Sequence, residues 1–165
     1  MGFASIEDTL ALEKAMSWEQ RDVAKTLFGL LSETADKFPE RPAISYQLLS
    51  GPQDKAETLN WRSLQQKTAQ AANMFRALGV GPEDVVAFVL PNCNETALTI
   101  LGGAVTGVVN SINPLLNVDQ LFSILRETNA KVVVSLTAFP KHDVGQKTAA
   151  SVSESSNENT VIEIN

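Results

Sequence analysis

Four clusters of residues in this 165-residue chain have types and spacings suited to chemistry. Gly102, Gly103 and Gly107 suggest a phosphate-binding loop, because glycine lets backbone amides come close to an anion. Gly79-Val80-Gly81-Pro82 offers the start of a dinucleotide fingerprint. His142 beside Asp143 supplies an imidazole and a carboxylate, the composition of an acid–base couple. Cys93, flanked by Asn92 and Asn94, is a thiol among polar neighbours.

The elements that would position these residues favour plainer roles for most of them. Gly102 and Gly103 fall late in a helix and Gly107 precedes a strand, the reverse of the strand-to-helix order that aims amides at phosphate. Close helix packing is the better reading. Gly79 to Pro82 also precedes a strand and lacks a third glycine, so it reads as a turn. His142 and Asp143 are adjacent, and neighbouring residues seldom face each other; no serine or cysteine stands as a nucleophile for them. Cys93 falls at the carboxyl end of the first parallel strand, where open α/β sheets bind ligands. Its alternative role is a small packing residue, with Asn92 and Asn94 capping the turn and helix. Asn110, Asn113 and Pro114 occupy the same end of the next strand, either lining a channel or forming a turn.

Periodicity supplies the framework. Leu27, Leu30, Leu31, Thr34, Ala35 and Phe38 recur at helical spacing, with Thr26 as cap and Pro39 and Pro42 ending the run. Ala43 to Leu49 reads as a strand, and a polar loop from Ser50 to Glu57 leads to a hairpin partner at Thr58 to Trp61. Trp61, Leu64, Thr68, Ala71, Phe75 and Leu78 then align on one side of a helix capped by Asn60, with Gly79 at a left-handed C-terminal cap. Beyond it strand and helix alternate. Val85 to Leu90 is apolar at every position, as a parallel strand covered on both faces requires. Asn94 caps a helix through Val105, Val108 to Ile112 is a second strand, and Asn117 with Gln120 makes a capping box before a third helix. Lys131 to Leu136, a helix from Gln146 to Ser156 and a strand from Thr160 to Ile164 complete the series. Right-handed crossovers between such strands predict an α/β fold, a mostly parallel sheet with helices on both faces.

Composition narrows the function. Nineteen acidic against thirteen basic residues give a net charge of -6 with no basic cluster, which disfavours nucleic acid as a partner. The longest apolar region, Ala97 to Leu116, is interrupted by glycines and polar residues, so no transmembrane segment is expected. Glu7, Asp8 and Glu13 argue against a secretory signal, and Ile6 against a myristoylation site. Cys93 is the only cysteine, which points to a reducing, cytoplasmic setting.

The ordered set of RPAISY (Arg41 to Tyr46), LNWRSL (Leu59 to Leu64), the Gly79 to Asn92 run and Gly102 to Pro114 resembles the opening of the adenylate-forming enzymes. Among them it looks most like the AMP-forming acyl-CoA synthetases acting on fatty or aromatic acids. In LNWRSL, Trp61 replaces the family's usual aromatic, and Ser63 stands where an acid is expected. Val105-Thr106 occupies a place where some relatives carry an arginine. The resemblance covers roughly Thr26 to Leu136. It implies a first αβ subdomain of the family's large N-terminal domain, with residues 1–25 as an extension and residues 26–165 as part of that domain.

The resemblance further implies a two-step reaction, in which a carboxylate attacks ATP to give an acyl adenylate and a thiol then displaces AMP. ATP, Mg²⁺ and coenzyme A are cofactors implied for the full-length enzyme. The Ser/Thr/Gly-rich loop with lysine that holds phosphate is not among these residues. No residue here is therefore assigned a catalytic, cofactor-binding or metal-binding role. The strand at Thr160 to Ile164 has no following helix to cover it, so the expectation is the front part of a longer polypeptide, inactive alone. Its expected partners are the remainder of the enzyme and other copies, through exposed apolar surface. The alternative is a non-catalytic interaction or ligand-binding α/β module.

Overall fold

The computed structural model describes residues 5–48, 51, 53–137, 144–154 and 160–164. In chain order the elements are α1 (Ile6–Ala15), α2 (Leu27–Lys37), β1 (Pro42–Tyr46), β2 (Glu57–Asn60), α3 (Trp61–Ala77), β3 (Val85–Val89), α4 (Asn94–Thr106), β4 (Val108–Ser111), α5 (Val118–Glu127), β5 (Ala130–Leu136), α6 (Val144–Glu154) and β6 (Thr160–Ile164). β1 and β2 form an antiparallel pair, and the other four strands form a parallel sheet in the order β4-β3-β5-β6.

The apolar run of β3 is buried on both faces because it sits inside this sheet. Ala87 and Val89 join Val133, Leu121, Leu125 and Val144 on the side of α5 and α6. Val86, Phe88 and Leu90 join Val132, Val134 and Phe75 on the side of α3. Alternate residues of one strand therefore feed two separate cores, which is why the strand has no polar face. A third cluster, Leu31, Leu59 and Leu64, fastens α2 and the hairpin to α3 and α4. The fold class expected from the alternation holds, with helices covering both faces of a parallel sheet.

Local signals explain where the helices begin. The Thr26 hydroxyl accepts from Gly29 N at 3.0 Å, and Asn60 Oδ1 accepts from Ser63 N at 2.8 Å. Asn117 and Gln120 form the expected reciprocal box, at 2.9 and 3.1 Å. Gly79 takes φ of 81°, while its N–H donates to Arg76 O and that of Val80 to Phe75 O, a Schellman closure of α3.

Several boundaries differ from the sequence reading. β1 begins at Pro42 and ends at Tyr46, short of Leu49, which lies outside the described residues. Trp61 opens α3 rather than closing β2, because the Asn60 cap starts the helix there. Phe38 caps α2 and is 40% exposed, so the buried row of that helix is Leu31 and Ala35. α6 starts two residues earlier than Gln146, and residues 155 and 156 are not described. The first 25 residues hold a helix, α1, for which periodicity gives no reading.

Candidate functional site

The connections of the sheet define its two edges. From β3 the chain crosses one way to β4, then back over β3 to β5, and on in the same direction to β6. The direction of winding reverses between β3 and β5. In open α/β sheets the crevice at the carboxyl ends of such strands receives ligands.

At that carboxyl edge stand Leu90, Pro91, Cys93, Asn94 and Thr96 after β3, and Ser135 at the end of β5. Cys93, not Asn94, is the N-cap of α4, and no side-chain bond caps the helix. The reason is a shift of one position. Asn94 already has helical backbone, and its side chain turns inward, 2% exposed, where Nδ2 donates to Glu57 O of β2 at 3.4 Å. Its Oδ1 is buried without a hydrogen-bond partner among the described residues. Thr96 fills the place left open: its hydroxyl donates to Pro91 O and lies 3.2 Å from Cys93 Sγ. With the hydroxyl proton used on the carbonyl, the thiol becomes the donor to Thr96. Cys93 is half-buried at the helix start, its thiol engaged with Thr96, and the capping role expected for Asn94 is not seen.

Ser135, fully buried, donates to Thr148 Oγ1 at 3.1 Å, and Thr148 donates to Val144 O at 2.8 Å. This ladder ties β5 to α6. Asn113 accepts from Leu115 N at 2.9 Å through Oδ1, so it forms a turn. Asn110 Nδ2 is buried with no partner among the described residues. His142 and Asp143 lie outside the described residues.

The amino edge is built differently. Lys131 Nζ donates to Gly79 O at 2.6 Å and to Asp84 Oδ2 at 2.9 Å, and the same carboxylate accepts from Gly81 N at 2.7 Å. Hydrogen bonds from the Lys131 ammonium and the Gly81 amide hold the Asp84 carboxyl below its ordinary value. Gly107 closes the edge: a Cβ there would stand 2.5 Å from Asp84 O and 2.7 Å from Gly81 O. The neighbouring glycines pack helices. A Cβ on Gly102 would meet Ala71 Cβ at 2.6 Å, and one on Gly103 would meet Val109 Cγ2 at 2.6 Å. These glycines admit close approach of backbone and side chain, not of phosphate. The three-residue spacing of Gly81 and Asp84 signals a side-chain turn, but nothing local points to Lys131, 47 residues away.

No group of three or more His, Cys, Asp or Glu side chains among the described residues could hold a metal ion. No helix of the described residues is long and apolar enough to cross a membrane.

An open parallel sheet whose winding reverses between β3 and β5 defines an α/β class rather than one reaction. Comparison with known sequences resolves the class. Residues 31–164 match the model of the AMP-binding enzymes, and the chain belongs to that family. It is similar to the marinolic acid–CoA ligase of Pseudoalteromonas sp., 29% identical over 133 residues covering 81% of this chain and 20% of that protein. The long-chain-fatty-acid–CoA ligase of Bacillus subtilis is 29% identical over 119 residues, covering 71% of this chain and 20% of that protein. The chain spans about a fifth of the length of these curated relatives. In fold it resembles the N-terminal domain of FACL13 from Mycobacterium tuberculosis, with a TM-score of 0.67 at 20% identity over 85% of this chain and 34% of that one.

Proposed function

We propose that this chain is scaffold: the opening αβ layer of the large N-terminal domain of an AMP-forming carboxylate–CoA ligase, one that makes acyl-CoA through an acyl adenylate. Residues 26–165 form part of that domain and residues 1–25 an extension. The acid is of the fatty or aromatic class, and the enzyme works in the cytoplasm. In the complete protein ATP, Mg²⁺ and coenzyme A are handled by segments outside these residues. The carboxyl edge, from Pro91 to Asn94, faces those segments, and they are its main partner. Self-association through exposed apolar surface belongs to the same reading.

The observation that supports this most is the family match over residues 31–164, joined to a sheet whose bonded edge is not its ligand-binding one. Catalysis requires groups placed against developing charge on phosphorus, and the family's phosphate-holding loop is not in this sequence. The test is ATP–pyrophosphate exchange by the purified chain with a panel of fatty and aromatic acids. The expected result is no exchange above the protein-free control. Turnover that depends on the acid and on this chain would overturn the scaffold reading.

A further inference from the structure

We draw no further inference here: the strongest candidate, the uncapped first turn of α4 from Cys93 to Thr96 at the carboxyl edge of the parallel sheet, is a helix N-terminus with no second feature pointing to a ligand, since the buried Asn94 side chain is turned inward onto Glu57 O of β2.

Discussion

The two edges of the parallel sheet are made of similar residues and are held in opposite ways. At the amino edge every principal group has a partner: Lys131 bridges Gly79 O and Asp84, Gly81 N completes the carboxylate, Val108 N donates to Asp84 O at 2.9 Å, and Gly107 fits under two carbonyls. At the carboxyl edge α4 has no side-chain cap, and Asn94 buries an oxygen with no partner among the described residues. The amino edge ties its charged and backbone groups to one another, whereas at the carboxyl edge the first turn of α4 has no side-chain cap among the described residues.

Substitutions at the two edges should therefore act with opposite sign. The largest effect is expected at Gly107. Alanine there would place a Cβ against two backbone oxygens at 2.5 and 2.7 Å, neither of which can swing away. Overpacking of this kind costs about 1–3 kcal/mol. Urea unfolding should show a lower midpoint for Gly107→Ala, and an unchanged midpoint would remove the tight closure from the comparison.

Asp84→Asn should produce a smaller loss with a distinctive pH dependence. Because Lys131 and Gly81 lower the folded-state pKa of Asp84 below 3.8, its contribution is present above that value. It disappears as pH falls through the lowered folded value. Wild type and Asp84→Asn should thus differ most near neutral pH and converge only once pH has fallen below the lowered folded value. A difference that persisted undiminished at pH 2 would assign the loss to geometry rather than to charge.

The smallest effect should be a gain. Cys93 has the extended backbone of an N-cap, φ -157° and ψ 175°, without a capping oxygen. Cys93→Ser supplies one, and such caps contribute about 0.5–2 kcal/mol, with the low end expected here because Thr96 competes for the same space. A thermal melt should show a small rise in Tm. A fall would mean that the thiol's packing outweighs the missing cap.

The sequence shows why one edge was easier to read than the other. The apolar strand expected over Val85 to Leu90, which ends one residue earlier at Val89, the Asn60 and Thr26 caps and the Asn117–Gln120 box all rest on spacings of a few residues. Gly107 was legible as a close-packing glycine, though not the two carbonyls that require it. The sequence puts the cap at Asn94, one position beyond Cys93, because an asparagine before an apolar run looks the same as cap or as first helical residue. Only the approach of Glu57 O, 37 residues earlier, decides which it is. The Lys131–Asp84 bridge and the Thr96–Cys93 contact depend on strand pairing and on a turn conformation, neither of which leaves a periodic trace. α1 had a legible capping box but no buried face for periodicity to report.

Native-state hydrogen exchange reads both edges in one experiment and bears most directly on the division between them. The Val108 amide, bonded to Asp84 O, should exchange only through large-scale opening, while the amides of Asn94, Glu95 and Thr96 in the first turn of α4 should exchange orders of magnitude faster. Equal protection at the two edges would contradict the contrast between a bonded amino edge and an uncapped carboxyl one.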